Sequence, residues 1–234
     1  MADAEQQQDR ITGEQSEQTP LLGGPGDASQ HGKPLYHNFV IDNQLAAIVW
    51  GSVFSNDLSL FSAHPLLNSA AVLFFVQGVL ILQPTYTAKQ KKQGTYTHAA
   101  LNDIAVLAAV AGLVIIEYNK IDHNGAHFES VHAILGLVTY ILVMLQALVG
   151  ITQFFTPSLY GGVDNAKALY KYHRVGGYIT LLVMLATVCA ATQTTFNVQT
   201  LKMQLWAVVV ASVVIVLGLG ARIKPSKFGW LAGQ

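Results

Sequence analysis

Apolar positions along the chain gather in six long runs, roughly 40–60, 64–84, 98–117, 131–155, 175–196 and 203–221, divided by short polar segments. Within each run the apolar residues follow one another without alternation, which predicts helices and not the strands of a barrel. A run of about 20 residues, at ~1.5 Å rise per residue, matches a hydrocarbon core of ~30 Å. The first run is the weakest, with Asp42, Asn43 and Gln44 near its start. Upstream, residues rich in Gln, Glu, Gly and Ser show no apolar periodicity and are expected to stay disordered. The predicted fold is an all-α membrane protein of six transmembrane helices. Residues 1–37 form a cytosolic tail, 38–222 the six-helix domain and 223–234 a second short cytosolic tail. The first tail lacks the basic start and apolar core of a signal peptide, so membrane entry is expected to begin with the first helix. In that tail Glu17, Leu21 and Leu22 fit the acidic dileucine spacing read by sorting adaptors.

Charge sharpens this picture. Only 11% of the 234 residues are charged, 13 basic and 13 acidic, against roughly 25% in ordinary globular proteins. None lies between Asp57 and Lys89, Glu129 and Asp164, Arg174 and Lys202, or Lys202 and Arg222. Such blocks meet lipid, which excludes a soluble enzyme. Zero net charge, with no basic run beyond Lys89 to Lys92, gives no footprint for nucleic acid. Arg10, Lys33, Lys89, Lys91, Lys92, Lys167, Lys171, Arg174, Arg222, Lys224 and Lys227 fall on one side of the predicted topology, and only Lys120 and Lys202 on the other. The positive-inside rule then places both termini in the cytosol. The single cysteine, Cys189, removes disulfides, thiolate-held iron–sulfur clusters and covalent c-type haem.

Histidine is the remaining candidate for chemistry. His64, His98, His132 and His173 stand at the predicted starts of helices two to five, separated by 34, 34 and 41 residues. Neighbouring helices alternate in direction, so His64 with His132 form an outer pair and His98 with His173 an inner one, roughly 20 Å apart. Four residues on, on the same helical face, stand Asn68, Asn102, Gly136 and Gly177. A glycine one turn from an imidazole leaves room for a flat macrocycle, and two neutral imidazoles per level suit bis-histidine haem iron. Zinc is the weaker alternative, because two imidazoles supply half a tetrahedral set and no Cys or carboxylate stands near in sequence. A proton-coupled or ion transporter using the same histidines, or a scaffold in which they are incidental, also stays open. Asp103, a carboxylate within the third run, is expected either to hydrogen-bond inside the bundle or to accompany a proton.

The sequence resembles the cytochrome b561 family over about residues 38–222, and most closely the branch made of this domain alone. The resemblance is carried by His64-Pro65 with Gly78, by Thr97-His98-Ala99-Ala100-Leu101-Asn102, by Ser130-Val131-His132 with Gly136, by Tyr172-His173 with Gly176 and Gly177, and by Gly125-Ala126-His127. It implies two haem b groups in a central four-helix bundle, the outer held by His64 and His132 and the inner by His98 and His173. Asn68, Asn102, Gly136 and Gly177 would line them. It further implies ascorbate as cytosolic electron donor and monodehydroascorbate or ferric iron as acceptor. Lys89, Lys91, Lys92, Lys171 and Arg174, with Lys167, flank the inner histidines and would attract the ascorbate anion. Lys91 aligns best with a family lysine, whereas Ala166 stands where some members carry arginine. His127 is the expected outer-site residue, and His123 and Lys120 share its loop. The expected residence is an endomembrane, vacuolar or lysosomal, with the plasma membrane as alternative, and a homodimer is compatible with the resemblance.

Overall fold

The computed structural model describes residues 35–83, 85 and 88–223, with side chains described from residue 43 onward. The dileucine pattern, Arg10, Lys33, Lys224 and Lys227 lie outside the described residues. Those that are described form six long helices and no strand: α1 (Leu35–Phe54), α2 (Ala63–Leu80), α3 (Ala88–Asp122), α4 (Val131–Phe155), α5 (Val163–Ala191) and α6 (Leu205–Gly220). Short 3-10 turns precede α2 and α5, and a π turn, Asn197–Leu201, links α5 to α6. Four segments, Leu60–Leu80, Lys89–Asp122, Val131–Phe155 and Val163–Ala191, are long and apolar enough to cross a membrane. α6 is equally apolar but has only 16 residues.

Two helices depart from the apolar runs that predict them. α3 begins ten residues before His98 and α5 ten before His173, so these histidines lie about three turns inside their helices and not at the starts. His64 and His132, by contrast, are each the second residue of α2 and α4. The extensions contain Lys89, Gln90, Lys91, Lys92, Lys167 and Lys171, residues that propagate a helix well in water. Loss of apolar character therefore marks where such a helix leaves lipid, and not where it ends.

α2 packs along α3 and α4 along α5, while α1 lies against α2 and α6. Val72, Val76, Leu181, Leu185, Val208 and Ile215 form the centre of the main core. Ala71 of α2 meets Ala105 and Ala109 of α3 in a layer of small side chains, which lets two backbones approach closely where lipid supplies no hydrophobic drive. Outward faces carry Leu107 and Val114 of α3 and Ile141 and Leu148 of α4, all exposed. An apolar exterior with a small-residue seam between two helices is the pattern of a bundle solvated by lipid.

Asn197 closes the α5–α6 connection. Its buried amide donates to the carbonyls of Thr192 (2.7 Å) and Met203 (3.0 Å), and its oxygen accepts from the Met203 amide (3.1 Å). Asn197→Ala leaves three buried backbone groups without partners, and the expected cost is about 2 kcal/mol, read as a lowered melting temperature in detergent.

Candidate functional site

The four helix-borne histidines meet in two pairs. The rings of His64 and His132 lie 6.2 Å apart between centroids, at 87° to one another, and those of His98 and His173 lie 6.4 Å apart, at 86°. The first pair joins α2 to α4 and the second α3 to α5.

Backbone carbonyls from the neighbouring antiparallel helix hold three of these rings. His64 Nδ1 donates to the carbonyl of Gly112 (2.9 Å), His98 Nδ1 to that of Gly78 (2.7 Å) and His132 Nδ1 to that of Thr187 (3.0 Å). A carbonyl oxygen can only accept, so the proton sits on Nδ1 and the Nε2 lone pair is left bare. Asn68 and Asn102 place Nδ2 3.4 Å and 3.1 Å from the Nδ1 of their own histidine. Two N–H groups cannot bond each other, so these are packing contacts. The real bonds of the two amides run to the carbonyls of His64 (2.9 Å) and His98 (2.6 Å) one turn back. Tyr140 of α4 donates its hydroxyl to Asn68 Oδ1 (2.8 Å) and so fixes that amide from a third helix.

Glycines set the distance between helices. A Cβ on Gly112 would collide with Asn68 Nδ2, and one on Gly78 would stand 2.8 Å from Asn102 Nδ2. Gly150 similarly admits the His173 ring, whose Cε1 would lie 3.1 Å from an added Cβ. Gly136 and Gly177 are less crowded, meeting only Thr187 Cγ2 and Gln146 Oε1 at 3.9 Å. At the His64–His132 level Phe61 stacks parallel on His64 (5.7 Å, 7°) and meets Phe196 edge-on at 4.7 Å, covering the ring from the loop side.

This donor set fits haem iron. Two imidazoles sharing one iron through Nε2 stand about 6 Å apart centre to centre, two bonds of ~2 Å plus the ring radii. Both pairs have that spacing and, at three of the four rings, a tautomer fixed with Nε2 bare. No group of three or more His, Cys, Asp or Glu gathers among the described residues, so the side chains present offer two donors per level, the number an iron otherwise held by a macrocycle would need. The depth of the two levels follows from the same contacts. Gly78 lies 14 residues beyond His64 and accepts from His98, so the pairs are separated by about 21 Å along the bundle.

The remaining candidates are more dispersed. Lys89, Lys91, Lys92 and Lys171 are exposed at the lysine-rich end of α3 and α5, and Arg174 is half-buried beside His173. Lys171 lies over the Tyr172 ring at 5.1 Å, and Lys167 stands 3.9 Å from Asp164. Ala166 is buried. At the opposite end His127 Nδ1 lies 3.3 Å from Glu117 Oε2, whereas His123 turns to the Asn119 carbonyl (2.9 Å) and to Asp122 (3.8 Å). Lys120 caps this loop through the carbonyl of Ala126. Asp103 is exposed on α3, which does not favour the first of its two expected roles, a bond inside the bundle. Sequence reasoning missed the roles of Gly112, Gly150, Tyr140, Gln146 and Thr187. A signal for some of them exists, since Gly78, Gly112, Gln146 and Thr187 each stand 14 residues after a paired histidine.

Residues 63–199 match the family model for eukaryotic cytochrome b561. The human transmembrane ascorbate-dependent reductase CYB561 is 28% identical over 135 residues, 56% of this chain and 52% of that protein. The pig protein of the same name is 26% identical over 138 residues, 58% of this chain and 51% of its own length. A maize protein, ascorbate-specific transmembrane electron transporter 2, is 21% identical over 159 residues, 64% of this chain and 66% of its own. The chain thus spans about half the length of the mammalian relatives it matches.

Proposed function

Because the chain belongs to the eukaryotic cytochrome b561 family, we propose that this multi-pass membrane protein carries electrons across the bilayer, from cytosolic ascorbate to monodehydroascorbate or ferric iron on the far side. The observation that carries the reading is the pair of imidazole pairs, 6.2 Å and 6.4 Å between ring centres, on two levels of one bundle. In this reading all six helices span the membrane, both termini are cytosolic and the lysine-rich ends of α3 and α5 face the cytosol. When bound, haem b at each level supplies a ferric–ferrous couple that takes and gives one electron without an open coordination position.

The chain's own residues do the rest. His98 and His173 would hold the inner group, His64 and His132 the outer. Each Nδ1–H bonded to a carbonyl keeps its ring from rotating and makes Nε2 a stronger donor. Between the levels α2, α4 and α5 bury Val76, Val143 and Leu181, an apolar interval in which charge is screened less than in water. Ascorbate is an anion at neutral pH, and Lys89, Lys91, Lys92, Lys171 and Arg174 raise its local concentration at the inner end. His127, paired with Glu117, lies at the outer end and is the residue of this chain best placed to meet the acceptor.

Two measurements test the proposal. Stopped-flow mixing of the purified protein with ascorbate should reduce both pigments, and ferric chelate or monodehydroascorbate should reoxidise them. A colourless preparation that moves protons instead would match the transporter reading and overturn this one. Lys91→Glu reverses one charge at the donor face and should slow reduction by ascorbate about tenfold at low salt. Reduction by an uncharged reductant should keep its rate, and a loss of both rates would mean that Lys91 does not act on the anion.

A further inference from the structure

The histidine settings obey a rule of exchange. At each ring two positions come together: the residue four places after the histidine on its own helix, and the residue 14 places after the histidine that the antiparallel neighbour contributes to the other level. Fourteen residues return to nearly the same helical face about 21 Å along, which is the depth of the other level. At His64 the two positions are Asn68 and Gly112, and at His98 they are Asn102 and Gly78; in both the amide packs against the glycine. In the α4–α5 pair the roles are reversed. At His132 the own-helix position is Gly136 and the neighbour supplies Thr187, and at His173 it is Gly177 and the neighbour supplies Gln146.

Three of the four settings are complete, because the neighbour's residue at the 14-place step gives its carbonyl to Nδ1. The fourth is not. His173 Nδ1 is buried and has no hydrogen-bond partner among the described residues, and the same is true of Gln146 Oε1. Gln146 packs against Gly176 and reaches Gly177, the turn that follows His173. Gly150, one turn beyond Gln146 on α4, lies against the His173 ring itself. A buried donor and a buried acceptor left unpaired in one crevice have each lost the hydrogen bond that water gave them, and pairing them removes both penalties.

We propose that Gln146 is the positioning residue of the inner haem, its Oε1 accepting the proton of His173 Nδ1. This inference rests on the two-haem reading above. A side-chain amide then does at His173 what backbone carbonyls do at the other three rings. Unlike a carbonyl held by its helix, it can be altered by substitution. The bond gives His173 partial imidazolate character, which favours ferric over ferrous iron and lowers the potential of the inner haem alone.

The test is redox titration of the full-length protein in detergent, with haem counted per chain. The haem lost in His98→Ala identifies the inner one. In Gln146→Leu, close in size but without an acceptor, the ferric preference of the inner haem should fall about tenfold, a rise of ~59 mV for one electron. Gln146→Glu offers a stronger acceptor and should move the same potential downward, and it carries the test if the Leu variant fails to fold. The outer potential should stay where it is in both. Unchanged inner potentials, or equal shifts in both haems, would overturn the inference while leaving the two-haem reading intact. A wild-type protein without haem would overturn both.

Discussion

His98→Ala yields a protein that holds one haem per chain, retains the outer pigment and no longer passes electrons from ascorbate to an outer acceptor. The basis is geometric. The His98 ring pairs with His173, and its Nδ1 bond runs to the carbonyl of Gly78 on α2, so none of these contacts involves the His64–His132 pair. With His98 gone, His173 alone would be left to hold an iron at that level, and loss of that pigment is expected to be complete. Haem per chain, determined on solubilised protein, should fall from two to one, and transmembrane reduction of ferric chelate in vesicles should fall to background. Equal loss of both pigments in a variant that remains folded would show that the levels are not independent.

Substitution of two glycines should cross the levels over. Gly112 lies on α3, the helix that bears the inner ligand His98, yet its carbonyl and its missing Cβ serve His64 and Asn68 of the outer level. Gly78 lies on α2 with the outer ligand His64, yet it serves His98 and Asn102 of the inner level. Gly112→Val therefore should deplete the outer haem and Gly78→Val the inner, each against the expectation from its own helix. The added side chain displaces an amide that cannot move away without losing its bond to the histidine carbonyl, and forces apart two backbones that approach closely. Second-sphere changes of this kind cost roughly 10- to 100-fold in affinity for the metal group. Spectra of the two variants, compared with that of His98→Ala, assign which pigment is lost. Depletion of the outer pigment by Gly78→Val would contradict the antiparallel exchange.

Much of this arrangement is written in the residues themselves. Charge-free runs locate four helices long enough to cross a membrane, because lipid imposes a requirement on every side chain that faces it. The spacing of His64, His98, His132 and His173 gives the pairing that the rings adopt, since each step is one helix and one connection. The depth of His98 and His173 within their helices was not legible. Lysine and glutamine signal water, and a helix that projects into water carries the same residues as a loop. The orienting groups were also hidden, for a different reason. The acceptors at Gly112, Gly78 and Thr187 are backbone carbonyls, which no side chain announces, and only the recurrence of a 14-residue step after each histidine betrays them. Asp103, for which the sequence leaves a bond inside the bundle and a proton-accompanying role open, lies exposed on α3, because a carboxylate in an apolar run does not by itself tell which face it takes.

Electron transfer through this bundle requires two rings to grip one iron at each of two depths. Reduced-minus-oxidised absorbance of the purified full-length chain, with haem and protein quantified in the same sample, tests that most directly. Two b-type haems per chain, titrating as two separable one-electron couples, are the result expected. One haem or none in folded, fully loaded protein would contradict it.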